Sequence, residues 1–186
     1  MLTECEEVLH SINENHLEAN LSIKLTQFGL KIDEEFCYSN VKRLLEIASG
    51  YNNFVRIDME NSLTTSETLK LYEKLRSEGF ENVGLVIQAN MRRSEEDVQR
   101  QICLKANIRL CKGAYLEPEA IAFKGKEEIR LLYGVRSKLR DKIVADGHRL
   151  RVYVPFGQYW YAYSMRRFKE NPQILPYVFR ALFSGN

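Results

Sequence analysis

Residues Val83-Gly-Leu-Val-Ile-Gln88 decide the fold class of this chain. The stretch is an almost unbroken apolar run, and it lacks the polar–apolar alternation of a strand with one solvent-facing side. Such a run is typical of a strand in a parallel sheet that is covered on both faces. The stretch therefore predicts one strand of an α/β protein.

Outward from this strand, helical and strand patterns alternate along the chain. Strands are predicted at Leu21–Thr26, Phe54–Asp58, Val83–Gln88, Ile108–Cys111, Ile129–Tyr133 and Arg149–Val154. Helices are predicted at residues 3–17, Glu34–Ala48, Thr65–Ser77 (opened by the capping signal Thr65-Ser-Glu), Ser94–Leu104 and Lys138–Ala145, and near 160–170 and 174–183. A repeated β-α pattern favours parallel strands joined by helical crossovers. We expect one domain over residues 1–186, with an N-terminal helix within 1–19.

Composition narrows the class of protein. The 186 residues are 45% hydrophobic and 28% charged, as in ordinary globular domains, and the net charge of +2 carries no clustered basic stripe for nucleic acid. The cysteines form no CxxC pair and no zinc pattern, so we expect reduced thiols, an intracellular location and no metal. We expect no secretory signal and no membrane span, because neither a basic start followed by an apolar region nor a run of eighteen apolar residues occurs.

Polar residues recur in or just after the apolar strands. They are Lys24, Asp58, Gln88, Arg109 and Lys112. In a barrel of parallel strands, the carboxyl ends face the active site, and a buried unpaired charge there costs several kcal/mol. These residues therefore predict a shared polar centre. For any one of them, the alternative is a structural ion pair, such as Lys24 with Asp58.

The last fifth of the chain carries a second group of candidates. The strand Arg151-Val-Tyr-Val-Pro-Phe-Gly157 leads into a helix with Tyr163-Ser-Met-Arg166-Arg167. Two guanidinium groups beside an aromatic ring suit the capture of a small carboxylate, because arginine presents paired donors in one plane. The alternative is a solvated basic face of a helix. The upstream segment Arg109-Leu-Cys-Lys112-Gly-Ala-Tyr115 favours the first interpretation.

Several blocks in order from about residue 20 to the end resemble the proline dehydrogenase family. They are Ser22-Ile-Lys24-Leu-Thr-Gln-Phe-Gly29, Phe54-Val-Arg-Ile-Asp58-Met-Glu-Asn-Ser62, Val86-Ile-Gln88-Ala89, Arg109-Leu-Cys-Lys112-Gly-Ala-Tyr115-Leu-Glu-Pro118, Leu132-Tyr-Gly134-Val135, Val152-Tyr-Val-Pro-Phe-Gly157 and Tyr163-Ser-Met-Arg166-Arg167. The resemblance implies an FAD-dependent (βα)8 barrel that oxidises L-proline to Δ1-pyrroline-5-carboxylate. It also implies electron transfer to a quinone, usually at a membrane surface.

The resemblance assigns roles to individual residues. On the substrate side, Arg166 and Arg167 would clamp the proline carboxylate. The rest of the pocket would consist of Tyr115, Tyr153 and Tyr163, with Leu110 against the ring, and of Lys24 and Asp58 beneath it, Asp58 pairing with a pocket arginine. The cofactor would be held by Gln88 and Arg109 at the flavin ring, and by Lys112, Gly113, Ala114, Tyr115 and Gly134. No dedicated general base stands out among these residues.

The chain departs from the family pattern by being short. Leu131 follows Tyr115 after only sixteen residues, and the family's Thr-His-Asp or Thr-His-Asn strand end is absent. Six candidate strands in place of eight predict a truncated TIM-type barrel of about six parallel strands, whose open edges would invite self-association. Asn90 stands where the family commonly has an aromatic residue.

Three interpretations remain open at this point. The first is an FAD-dependent proline dehydrogenase in the cytoplasm, with peripheral contact at the inner face of a membrane. The second is a non-catalytic remnant, shortened naturally or by design, with impaired FAD binding. The third is an unrelated lyase or aldolase barrel that uses Lys24 or Lys112 as a Schiff-base nucleophile, but it leaves the Tyr163-Arg166-Arg167 block unexplained.

Overall fold

The computed structural model of the protein describes residues 1–111, 113, 115–123, 161 and 165. Backbone contacts divide the chain into Met1–Ile129 and Arg130–Asn186. In the second unit, only Tyr161 and Met165 are described, and both are helical. The elements predicted after residue 123 therefore lie outside the described residues, and the single-domain arrangement stays a prediction.

The first unit alternates helices and strands, as predicted. Its helices are α1 (Leu2–Glu14), α2 (Glu34–Gly50), α3 (Ser62–Ser77) and α4 (Ser94–Ile102), and its strands are β1 (Leu21–Ile23), β2 (Val55–Ile57), β3 (Val83–Gln88) and β4 (Asn107–Cys111). The strands form a parallel sheet in the order β1-β2-β3-β4. The α/β class with a parallel sheet is confirmed, whereas a barrel of six strands stays a prediction.

Strand β3 is the most completely buried strand of the described sheet. All six of its residues are buried, which agrees with its apolar sequence. Leucine and valine side chains of α2 and α3 pack with the apolar residues of β1 to β3, and Val41, Leu44 and Leu75 are completely buried there. Each such side chain contributes roughly 1.5–3 kcal/mol by leaving water. This packing holds the carboxyl ends of the strands in a fixed arrangement.

Three predicted boundaries are wrong by about three residues, and those of β1 and α3 are wrong for reasons that involve distant residues. Helix α1 ends at Glu14 rather than at residue 17. Strand β1 ends at Ile23, because Leu25–Phe28 forms a 3-10 helix in place of more strand. Helix α3 begins at Ser62 rather than Thr65. The Thr65 hydroxyl donates to the carbonyl of Asn61 inside the helix and does not cap it. Among the described helices, none has the length and apolar character needed to cross a membrane.

Candidate active site

Asp58 and Arg109 form an ion pair at the carboxyl end of the sheet. Asp58 directly follows β2, and Arg109 lies in β4. Arg109 Nη2 donates to Asp58 Oδ1, and Ser22 Oγ of β1 donates to the same oxygen at 2.8 Å. The side chain of Asp58 is 14% exposed and that of Arg109 is 42% exposed. A largely buried carboxylate thus accepts hydrogen bonds from donors on β1 and β4, which offset the cost of its desolvation.

Gln88, at the end of β3, forms a second set of polar contacts, with Glu60 and Ser94. Its side chain is 3% exposed, and its Nε2 donates to the backbone carbonyl of Glu60 at 2.5 Å. A carbonyl can only accept, so this bond fixes which end of the amide is nitrogen. Gln88 Oε1 is buried and has no hydrogen-bond partner among the described residues. The Gln88 carbonyl in turn accepts from Ser94 Oγ at 2.5 Å.

The carboxylate of Glu60 binds the turn that follows β1. Glu60 Oε1 accepts from the backbone N–H of Thr26 at 3.1 Å, and Glu60 Oε2 accepts from Thr26 Oγ1 at 2.8 Å. Thr26 lies in the 3-10 helix that begins directly after Lys24. Glu60 therefore connects the ends of β1, β2 and β3, a role that the sequence reasoning did not assign to it.

Lys24 is half-buried at the junction between β1 and the 3-10 helix. Within the described part of the chain, no side chain forms an ion pair or hydrogen bond with its ammonium group. The alternative of a structural Lys24–Asp58 pair is therefore wrong for these residues, since Asp58 pairs with Arg109 instead. The role of Lys24 under the substrate stays a prediction.

The segment after β4 folds back over the loop that follows β3. Met91 and Ala122 form an antiparallel bridge, and Phe123 N–H donates to the Asn90 carbonyl at 2.8 Å. Glu117 reaches the start of α3, where its carboxylate accepts from Ser62 N–H and from Ser62 Oγ, each at 2.7 Å. The segment after Tyr115 is thus attached at two places, to the loop after β3 and to the start of α3.

Gly113 has a conformation that favours glycine. Its φ is +104°, and a Cβ added there would lie 1.9 Å from Asn90 Oδ1. Asn90, the residue at which the chain departs from the family pattern, therefore packs directly against this turn. Cys111, just before the turn, has a raised pKa, mainly because of burial, and stays a neutral thiol near neutral pH.

The structure brings together only part of the predicted site. Asp58 and Arg109 are paired, and Gln88 lies at the same end of the neighbouring strand. Leu110 is 64% exposed, and strand alternation directs it to the face opposite Arg109, so its contact with a substrate ring stays a prediction. Outside the described residues lie Lys112, Ala114, Gly134, Tyr153, Tyr163, Arg166 and Arg167.

Sequence reasoning missed Ser22, Glu60 and Glu117, whose side chains bind Asp58, the turn after β1 and the start of α3. One signal was present for Glu60. It lies two residues after Asp58, so it continues the polar series at the end of β2. Glu117 carried no such signal, because its partner Ser62 is 55 positions away.

Comparison with known proteins decides the family. A family model described as proline dehydrogenase matches residues 1–127. The chain is also 31% identical to "Proline dehydrogenase 1" of Bacillus subtilis (strain 168) over 226 residues, which cover 96% of this chain and 74% of the relative. This chain belongs to the proline dehydrogenase family. A proline dehydrogenase of Deinococcus radiodurans is 29% identical over 234 residues, covering 97% of this chain and 76% of that protein.

Solved structures agree with the proline dehydrogenase assignment at the level of fold. Proline utilization A from Bdellovibrio bacteriovorus, in a structure described as inactivated by N-propargylglycine, matches 61% of this chain with a TM-score of 0.53 and 20% identity. The match covers 15% of that much longer chain. A Bradyrhizobium japonicum proline utilization A gives a TM-score of 0.50 at 18% identity.

The alignments also show that this chain is shorter than its relatives within the matched region. The match to the Bacillus subtilis protein is 226 positions long, whereas this chain has 186 residues, so at least 40 aligned positions have no counterpart here. This difference agrees with the shortening expected after Tyr115, although the alignment length does not give its position. Family membership also removes the reason for considering an unrelated lyase or aldolase.

Proposed function

We propose that the protein oxidises L-proline to Δ1-pyrroline-5-carboxylate with FAD as the electron acceptor and passes the electrons to a quinone. The observation that carries the proposal is the Asp58–Arg109 pair beside a buried Gln88, at the carboxyl ends of parallel strands in a member of the proline dehydrogenase family. Carboxyl ends of strands are where barrel enzymes place their reactive groups.

The described residues fit FAD at this position. Gln88 Oε1 is a buried acceptor without a described partner, and the pyrimidine part of the flavin ring carries an N–H that needs an acceptor. Arg109 uses one terminal nitrogen on Asp58 and keeps 42% of its side chain exposed, which supports a second contact with an electron-rich ring. Lys112, Gly113, Ala114, Tyr115 and Gly134 complete the cofactor side of the proposal by resemblance.

Bound FAD would supply the acceptor for the hydride that leaves the carbon next to the proline nitrogen. The residues of the chain would contribute alignment and charge. Asp58 holds the Arg109 guanidinium in a fixed direction, and a fixed positive charge stabilises negative charge that develops nearby. Arg166 and Arg167 would orient the substrate through its carboxylate, with Lys24, Leu110, Tyr153 and Tyr163 around it. Because the amine reacts in its neutral form, activity should rise with pH.

The test is the visible absorbance of the protein mixed with FAD and freed of excess cofactor, before and after anaerobic L-proline. A bound-flavin spectrum that bleaches with L-proline, and does not bleach with glycine, is the expected result. An Arg109→Gln variant should bind FAD more weakly, whereas Arg100→Gln, which removes an exposed guanidinium paired with Glu73, should not. A protein that retains no flavin would contradict the proposal.

A second candidate is a member of the family that has lost the reaction. The 40 or more aligned positions missing from this chain favour it, because the strand expected after Tyr115 normally helps to hold FAD. Such a protein would keep residues of the substrate side and bind proline-like acids without oxidising them. Absence of bound flavin together with binding of L-proline would support this candidate over the first.

The location and partners belong to the same proposal. Resemblance supports the cytoplasm with peripheral contact at the inner face of a membrane, where a quinone would be reached. Within the described residues, β4 pairs with β3 alone and β1 with β2 alone, so self-association through strand edges is also proposed. Sedimentation of the protein with and without quinone-containing vesicles tests both ideas.

A further inference from the structure

Glu60 makes two kinds of contact, one through its side chain and one through its backbone carbonyl. In the proposed site, the first lies on the substrate side and the second on the cofactor side. Its carboxylate accepts from the N–H and the hydroxyl of Thr26, at 3.1 and 2.8 Å. Its backbone carbonyl accepts from Gln88 Nε2 at 2.5 Å. The side chain therefore contacts the turn after β1, whereas the main chain contacts the end of β3.

The turn after β1 depends on Glu60 for both hydrogen bonds that Thr26 donates. The 3-10 helix at Leu25–Phe28 begins after Lys24, which provides no side-chain cap. The N–H groups at the start of a helix have no partner within it, so Thr26 N–H needs an outside acceptor. Glu60 Oε1 provides that acceptor, and the second oxygen binds the hydroxyl of the same residue. These two bonds hold the start of the turn, whereas Asn40 of α2 donates to the Phe28 carbonyl at its end.

Lys24 is the residue whose direction this turn controls. Its backbone is extended, with φ −115° and ψ 125°, and its carbonyl accepts from Gln27 N–H at 3.0 Å in the same turn. Among the described residues, its side chain has no polar partner that would hold it in place. The ammonium group is therefore positioned by the backbone from which it extends.

We propose that Glu60 is a positioning residue that fixes Lys24 for proline through Thr26. The inference rests on the proposed function, in which Lys24 lies beneath the substrate. Replacing the Glu60 side chain disturbs the Thr26 contacts but leaves the Glu60 carbonyl bound to Gln88. The substitution should therefore weaken proline binding without weakening FAD binding. A residue that acted only on overall stability would lower both affinities together.

The experiment compares Glu60→Gln, Thr26→Val and the double variant with the parent protein, each reconstituted with FAD. Glu60→Gln removes the charge and one acceptor, whereas Thr26→Val removes only the hydroxyl. Loss of one charge-assisted hydrogen bond corresponds to a rise of about tenfold in the KM for L-proline. We expect the double variant to resemble Glu60→Gln, with kcat and the Kd for FAD changed by less than about twofold. Thr26→Ser keeps the hydroxyl and should resemble the parent.

Two results would overturn the inference. One is a proportional loss of FAD and proline affinity in Glu60→Gln, and the other is an unchanged KM in both single variants. Hydrogen exchange at the Thr26 amide provides a readout that needs no cofactor. Exchange should be faster by about tenfold in Glu60→Gln, because the amide loses a charged acceptor.

The exchange measurement separates this inference from the proposed function. If the parent protein binds no FAD, the proposed function fails, and faster exchange at Thr26 together with weaker binding of L-proline in Glu60→Gln would still support the role of Glu60. Unchanged exchange would overturn that role even in an active enzyme. If Glu60→Gln does not fold, Thr26→Val carries the test, because it removes one hydroxyl and keeps the side-chain shape.

Discussion

Asp58, which follows β2, accepts a hydrogen bond from Arg109 of β4, although β3 lies between these two strands. Backbone hydrogen bonds join only neighbouring strands, so β2 and β4 are linked directly through side chains. Asp58–Arg109 makes this link at the carboxyl ends of the strands, and Arg56 of β2 makes another to Asn107 at the start of β4. The Asp58–Arg109 pair therefore has two roles, one in holding the sheet end together and one in directing the guanidinium group of the candidate site.

Replacing Asp58 with asparagine should destabilise the protein by about 1 kcal/mol, a modest value because Arg109 is 42% exposed and water replaces part of the lost attraction. The free energy of unfolding in urea measures this change. Glu35→Gln is the matched control, because Glu35 pairs with Lys74 but is 77% exposed, and its effect should stay within about 0.5 kcal/mol. Equal effects of the two substitutions would contradict the structural role of the Asp58–Arg109 pair.

Replacing Glu117 with alanine should cost about 1 kcal/mol, the usual value for losing the group that caps a helix. Its carboxylate accepts both the N–H and the hydroxyl of Ser62 at the start of α3. Glu117→Gln should cost less, since the amide oxygen still accepts one bond. In a double-mutant cycle with Ser62→Ala, which keeps the N–H, the two losses should not add, and strict additivity in urea unfolding would show that the Ser62 hydroxyl does not interact with Glu117.

Replacing Gly84 with alanine should cost about 1–3 kcal/mol by overpacking. An added Cβ would lie 2.5 Å from the Phe54 ring, 2.7 Å from Arg56 Nη1 and 2.8 Å from the Asn107 carbonyl. Gly50→Ala is the control, because nothing lies within 4 Å of its added Cβ and the residue closes helix α2. We expect that control to be neutral or stabilising by up to about 1 kcal/mol in thermal or urea unfolding.

The turn at Gly113 should tolerate no side chain. Gly113→Ala meets Asn90 Oδ1 and also has to adopt a φ of +104°. Asn90→Gly removes the contact but not the backbone conformation, so it should restore only part of the stability lost in Gly113→Ala. Full restoration in the double variant, measured by urea unfolding, would show that the backbone conformation contributes nothing.

The thiols should differ in reactivity and in their effect on stability at high pH. Burial raises the pKa of Cys5 to about 11 and that of Cys37 to about 12, whereas Cys103 is exposed. A thiol reagent at pH 8 should therefore modify Cys103 first. Because the folded protein holds these two protons more tightly than the unfolded chain, their contribution to the free energy of unfolding should be constant below about pH 8.5 and fall as the pH rises from there through about 12. A rise over that range would contradict the burial of Cys5 and Cys37.

The strand Val83–Gln88 and the α/β class were predictable because a long apolar run has few alternatives in a folded protein. The ends of β1 and α3 were not. Thr26 belongs to a 3-10 helix held by Glu60, and Ser62 begins a helix held by Glu117, and both partners are more than 30 positions away in the sequence. Local patterns cannot contain such contacts, so the boundaries that depend on them were placed wrongly.

The positions of the site residues were easier to predict than their partners. Asp58, Gln88 and Arg109 could be placed at strand ends because a polar side chain in a buried apolar strand is costly unless it has a polar partner. Asp58 could pair with either Lys24 or Arg109. The outcome depends on the register of the strands and on the reach of each side chain across the sheet, and local sequence patterns do not predict these. The structure resolves that choice in favour of Arg109.

The sequential order β1-β2-β3-β4 has a consequence for how the chain folds during its synthesis. Each new strand pairs with the one that left the ribosome just before it, so the sheet can grow from its first edge without waiting for later segments. The side-chain contacts at the carboxyl ends of the strands form last, because the partners of Asp58 and Ser62 are residues 109 and 117, which emerge later. The polar end of the sheet is therefore finished after its apolar core.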